Sequence, residues 1–328
     1  MNKNIVFTII LSVILFLTTT CSNVGLSTVQ TVSDKVMYKM NKDLIPHVTS
    51  DVSAILDERY ESEDSNSLLD IYYPEETQPT EKLPIIVWIH GGSWVSGSKN
   101  YIANYAKILA GNGYVVAVVD YTLAPTQHHP YQVIQINKAL AFLMENADRF
   151  YIDTEKMFLA GDSAGAGLCA QLANATYVPS YADLINVTPS LTPEQLRGAI
   201  LHCGPYDISL FNLDGWFSGF IKTIGKAYSG KDDFLNEPSF QPASVGQYVT
   251  ADFPPAFISA GNNDPLEKQS IVFAQRLDSL GVCVDTLFFP KNYRTKLPHE
   301  YQFNLDTEAG KLALERTIAF LQKQCNIE

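Results

Sequence analysis

Short β-rich runs, several of them continuously apolar, recur along the chain at 68–73, 85–89, 114–119, 157–160, 199–203, 256–260 and 284–289. The run 115–119 reads VVAVV, with no polar position at all. Strands whose side chains meet water on neither face carry this pattern, whereas a half-exposed strand alternates. Between the runs lie stretches with apolar residues at helical spacing, 101–110, 131–147, 164–173, 266–280 and 307–322. In the last, Leu314, Ile318 and Leu321 stand at i, i+4 and i+7, with Ala313 and Phe320 alongside, which predicts one buried stripe. Gly111, Gly113 and Gly281 fall where these helices must stop. Strands and helices alternating at this rhythm predict an α/β fold, a mostly parallel sheet with helices on both faces.

Two stretches break the rhythm. Residues 174–197 are polar, carry Pro179, Pro189 and Pro193, and predict a surface excursion. Residues 206–250 hold an aromatic cluster, Phe211, Trp216, Phe217 and Phe220, followed by a turn-rich tail. A packed surface helix would account for the cluster. A lid is the sharper expectation, because open α/β sheets bind ligands at the carboxyl ends of their strands, where such insertions sit.

The first residues follow another logic. Lys3 precedes an apolar run, 5–17, interrupted only by Thr8 and Ser12. As a helix it reaches about 20 Å, short of a hydrocarbon core of about 30 Å. A basic start, a short apolar run and Thr18, Thr19 and Thr20 before Cys21 predict an export signal over 1–20. Cys21 stands where bacterial lipoproteins carry their acylated cysteine. The body is therefore expected outside the cytoplasm, secreted or anchored to a membrane through Cys21 or the N-terminal segment. A linker over 21–50 and one domain over 51–328 complete the expected layout.

Composition narrows the function. Of 328 residues, 46% are hydrophobic and 18% charged, which excludes a disordered or collagenous chain. A net charge of −12 leaves no clustered Lys and Arg for a nucleic-acid partner. The five cysteines show neither CxxC spacing nor a histidine pair at zinc-site distance, so no structural metal is expected. Cys283 and Cys325 form an even pair able to bridge in an oxidising compartment.

Four segments carry chemistry. Gly161-Asp162-Ser163-Ala164-Gly165 follows a strand and opens a helix, the context in which G-x-S-x-G lifts a serine hydroxyl clear of a sheet. The Ala164 amide, at the helix start, then faces any oxyanion formed beside Ser163. His90-Gly91-Gly92-Ser93-Trp94 lies just past a strand, and Gly91 and Gly92 are the expected second source of oxyanion donors. His90 is expected to be structural, because the base in this architecture comes last in the chain. Asp264, in Gly261-Asn262-Asn263-Asp264-Pro265, suits either the acid that orients a histidine or a helix N-cap. His299, in Leu297-Pro298-His299-Glu300-Tyr301, completes the order Ser, Asp, His. Asp120 and Asp162 suit turn shaping, and Asp207 and Asp285 are weaker rivals for the acid.

Together these segments resemble the α/β-hydrolase fold. The HGG segment, Asp120-Tyr121-Thr122-Leu123-Ala124-Pro125 and GDSAG are similar to the hormone-sensitive-lipase-type branch of esterases, with arylformamidase and feruloyl-esterase-like relatives nearby. That branch usually has Arg where Thr122 stands and often a third Gly where Ser93 stands. The resemblance runs from about 68 to 321. It implies Ser163 as nucleophile, His299 as base, Asp264 as its orienting acid, and Gly91, Gly92 and Ala164 as oxyanion donors. The implied reaction is hydrolysis of a small-molecule carboxylic ester through an acyl-enzyme, with no metal or organic cofactor. An amidase or formamidase of the same fold is the alternative, and a noncatalytic binding homologue the more distant one. Trp94, Trp216 and Phe220 are expected to line the substrate pocket.

Overall fold

Eight strands, β1 (Val52–Arg59), β2 (Leu68–Pro74), β3 (Leu83–Ile89), β4 (Val115–Val119), β5 (Ile152–Asp162), β6 (Leu196–His202), β7 (Ala256–Ala260) and β8 (Val284–Phe288), form one sheet in the order β1-β2-β4-β3-β5-β6-β7-β8. The computed structural model describes residues 25–326 apart from 79, 215 and 216. The export-signal segment, Cys21 and Trp216 therefore lie outside the described residues. β1, β2 and β4 pair antiparallel, and every other pairing is parallel.

The apolar runs behave as their pattern requires. Every residue of β4 and β7 is buried. Along β3 the side chains divide between the faces: Ile85, Val87 and Ile89 join one core, Ile86 and Trp88 the other. Helices α3 (Tyr131–Glu145), α4 (Ala164–Tyr177) and α7 (Glu267–Ser279) cover the first face, while α2 (Ala103–Ala110) and α8 (Glu308–Cys325) cover the second. The stripe of α8 is rotated from the expected one. Ala313, Thr317, Phe320 and Leu321 are buried at its centre, and Leu314 and Ile318 flank it half-buried.

The expected linker over 21–50 is corrected. Residues Leu26–Asp43 form helix α1, which buries Val29 and Met37. Two of its polar side chains are anchors on the neighbouring loop. Gln30 Nε2 donates to the Val95 carbonyl (2.9 Å), and Asp34 Oδ1 accepts from the Gly97 amide (3.2 Å). The surface excursion over 174–197 is corrected in part: it contains α5 (Pro179–Leu184) and buries Tyr181, Ile185 and Leu191. Within 206–250, α6 (Ser218–Ser229) buries Ile221, Ile224 and Tyr228, and short 3-10 turns follow at Pro238–Ala243 and Val245–Gln247. Cys169, Cys203, Cys283 and Cys325 are free thiols, so the possible bridge between the last two is not formed. Among the described residues no helix is long and apolar enough to cross a membrane.

Register levels the carboxyl ends of the central strands. Ile89 pairs with Gly161, Asp162 with His202, and His202 with Ser259. The loops leaving this edge carry all four chemical segments.

Candidate active site

Ser163 stands between the last residue of β5 and the first of α4 with φ 50° and ψ −122°. An L-residue holds such angles only when its surroundings impose them. Its amide donates to the His202 carbonyl at 2.9 Å. A Cβ on Gly165 would stand 2.0 Å from the Ile89 carbonyl oxygen, so only glycine lets α4 begin against β3. The chain reverses within one residue, and the serine side chain is left on the rim of the sheet.

The acid and base arrive on two loops stapled to each other. Asn262 Oδ1 accepts from the Leu297 amide (2.9 Å), and the Asn263 amide donates to the Leu297 carbonyl (3.0 Å). His299 Nδ1 lies 2.8 Å from Asp264 Oδ2, and its Nε2 lies 2.9 Å from Ser163 Oγ. Asp264 uses both carboxylate oxygens, although the N-cap of α7 is Leu266. Oδ2 faces the imidazole while Oδ1 accepts from the Leu266 amide at 2.7 Å, at the head of α7. Burial alone would push the imidazole down, but the Asp264 carboxylate, with Cys203 beside it, holds His299 well above the ordinary histidine value. The rival acids are engaged elsewhere: Asp207 accepts from the Ser209 amide, and Asp285 pairs with Arg316.

Gly91 is corrected as an oxyanion donor. Its amide is committed to Asp162 Oδ2 at 2.9 Å, and the other oxygen of Asp162 accepts from Trp88 Nε1 at 2.8 Å. The loop then turns left-handed through Gly92 (φ 113°), Ser93 (φ 54°) and Trp94 (φ 62°). Gly92 is required, since a Cβ there would lie 2.1 Å from the Ser96 carbonyl oxygen. The Gly92 carbonyl ties the turn off by accepting from the Val95 and Ser96 amides (3.1 and 3.0 Å). No acceptor among the described residues engages the amides of Gly92, Ser93 or Ala164. The unengaged amides of this loop are thus shifted by one residue, Gly92 and Ser93 in place of Gly91 and Gly92. The carboxylate of GDSAG was the signal for this shift, because a buried acid beside the loop needs a donor and takes the nearest one.

His90 is structural, as expected. Its buried ring stacks on Tyr121 (4.4 Å, 12°), and Nδ1 donates to the Gly91 carbonyl at 2.7 Å. Trp94, expected in the substrate pocket, is 5% exposed, and its indole stacks on Tyr228 of α6 at 4.3 Å and 3°. Phe220 is half-buried and stacked on Phe217 at 4.4 Å. A cavity of about 550 Å³ between Tyr131, Asp183 and Pro238 contains none of the triad residues. The one grouping with metal-ligand spacing among the described residues is Cys203, Asp264 and His299, whose donor atoms lie within 4.8 Å of one another. Two of these are already bonded to each other, so a metal ion there would displace the triad contact.

Comparison with known proteins matches residues 69–277 to the family model BD-FAE. The chain is 27% identical over 270 residues to carboxylesterase NlhH of Mycobacterium tuberculosis, covering 77% of each protein. It is 28% identical over 221 residues to esterase LipC of the same organism, 66% of this chain and 53% of that one. The chain spans between 53% and 63% of the length of the first curated relatives it matches. Among solved structures, esterase B from Lactobacillus Rhamnosis superimposes with a TM-score of 0.76 at 26% identity, over 92% of this chain and 96% of that one.

Proposed function

We propose, for a chain that belongs to the BD-FAE family and to the carboxylesterase branch of the α/β-hydrolases, the hydrolysis of small-molecule carboxylic esters through a covalent acyl-serine. One observation carries the proposal: a single imidazole lies 2.9 Å from Ser163 Oγ and 2.8 Å from Asp264 Oδ2.

His299 takes the proton of Ser163 as the oxygen attacks the ester carbonyl. The negative charge that forms on the carbonyl oxygen is received by the Gly92, Ser93 and Ala164 amides, each contributing about 3 kcal/mol in the transition state. Asp264 keeps Nδ1 protonated and stabilises the imidazolium. His299 then protonates the departing alcohol, and water repeats the sequence on the acyl-enzyme. Helix α6, attached to the oxyanion loop by Tyr228 on Trp94, supports the lid expected over 206–250.

The test is Ser163→Ala assayed on p-nitrophenyl butyrate. Turnover is expected to fall by about 10⁵-fold or more, fluorophosphonate labelling to disappear, and circular dichroism to stay unchanged. Ester turnover surviving in that variant would end the assignment.

A further inference from the structure

Glu300 has no part in the triad, yet it follows His299 directly and is turned inward. It sits at φ 58° and ψ 32°, a left-handed conformation uncommon for a long side chain, and its side chain is 8% exposed. It reaches within hydrogen-bonding distance of Asp162. Glu300 Oε1 and Asp162 Oδ2 lie 3.1 and 2.4 Å from the point a Gly91 Cβ would occupy. That same Oε1 is 3.8 Å from His299 Nε2. The space beside the two acids is a void of about 10 Å³, closed by Met37, Met40 and Leu44 near the end of α1 and by Phe303.

We propose that Glu300 is a positioning residue for the ester hydrolysis inferred above, and that it acts by sharing one proton with Asp162, joining the histidine loop to the oxyanion loop. The donor pattern assigns the proton. Asp162 accepts from Trp88 Nε1 and from the Gly91 amide, so it is the ionised member. Glu300 then donates to it. Two ionised carboxylates in contact would repel, and two neutral ones would leave the donors to Asp162 with weaker partners.

Burial, together with the charge of Glu300, pushes the Asp162 carboxyl up, and burial pushes Glu300 up as well. The pair therefore retains its proton beyond the ordinary carboxylate range. The ionisable groups facing it are His299 and Asp264 on the adjoining loops, His90 on the oxyanion loop, Tyr105 on α2, Tyr121 after β4, Cys169 on α4 and Cys203 after β6. Burial holds the two tyrosines and the two thiols neutral and pushes His90 down. Loss of the shared proton is thus the change that separates the loops as pH rises, in opposition to His299, whose basic form grows over the same rise.

The experiment compares the full-length parent with Glu300→Gln and Glu300→Ala on p-nitrophenyl butyrate, with active sites counted by fluorophosphonate titration. Gln still donates to Asp162 but has no proton to lose. It is expected to keep kcat within about threefold at pH below the ionisation of the pair, and the parent-to-Gln ratio of kcat is expected to fall as pH rises. Ala is expected to lower kcat about 100-fold with KM nearly unchanged, since the loops lose register rather than substrate contacts. A parent-to-Gln ratio that does not change with pH would overturn the proposal, as would parental kcat in Glu300→Ala. Should Glu300→Ala fail to fold, the Glu300→Gln profile decides alone. A parent that neither takes the fluorophosphonate nor turns over ester would overturn the hydrolase assignment itself, which is a distinguishable result.

Discussion

His299 accepts the serine proton only as the free imidazole, and Asp264 decides at what pH that form is present. Because the carboxylate holds the imidazole well above the ordinary histidine value, the neutral fraction grows as pH rises through that raised value. In Asp264→Asn the charge is gone and burial, which acts in the opposite direction, dominates. The rising limb of kcat/KM should therefore move to lower pH, while its plateau falls by about 10⁴-fold because the amide no longer fixes the tautomer. A pH profile of the variant checks both; a limb that stays in place would belong to a group other than His299. At this scale Ser163 and Asp264 were legible because each stands just past a strand, and His299 because it completes the chain order Ser, Asp, His. Ser93 and Glu300 were not, since their roles follow from left-handed backbone angles and from contacts with Asp162.

Elements carry the site by approaching more closely than side chains permit. The head of α4 lies against the end of β3, and a Cβ on Gly165 would meet the Ile89 and His90 carbonyl oxygens at 2.0 and 2.7 Å. These are backbone atoms at the buried end of β3 and in the loop that follows it, so relief requires moving the helix. Gly165→Ala is expected to cost about 3 kcal/mol, read from the urea midpoint. Gly113 is the control, with positive φ and nothing within 4 Å of its would-be Cβ; Gly113→Ala should cost only the backbone strain, about 1 kcal/mol. Equal losses at the two positions would mean that close packing at Gly165 is not the determinant. The interior strands and the helices covering them were readable because burial on both faces leaves an apolar run or a stripe. Strand β1 leaves no such trace: it pairs with one neighbour, and its residues alternate between half-buried and exposed. Helix α1 hid behind its polarity, since Gln30 and Asp34 are docked on the oxyanion loop by hydrogen bonds that no hydrophobic period records.

Across the whole molecule, two histidines away from the site are held as neutral rings, His202 inside the core and His129 half-buried. His202 lies at the centre of the sheet with Nδ1 2.8 Å from Ser259 Oγ and its ring over Trp88, and burial pushes it down to about 3. His129 joins α4 to the α6 region, with Nε2 2.8 Å from Gln171 Oε1 and its ring edge-on to Tyr228 and Phe240; burial pushes it down to about 4. The sign of the consequence follows from comparing folded and unfolded chains. An unfolded histidine binds its proton as pH drops below about 6.5, whereas these two refuse it until far lower, so the unfolded state binds more protons in between. Their contribution to stability is therefore complete above that pH and is lost as pH falls, by about 1.4 kcal/mol per unit for each ring. The Asp162–Glu300 pair works against them, because its raised carboxyl binds a proton in the fold before the unfolded chain does. The net slope thus depends on both, and a difference between variants isolates one. In urea unfolding between about pH 6.5 and 4.5, His202→Gln should lose stability more gently than the parent, by about 1.4 kcal/mol per pH unit, whatever its absolute stability. Parallel slopes would mean that His202 already carries its proton in the folded sheet, and the neutral core described here would be wrong at its centre.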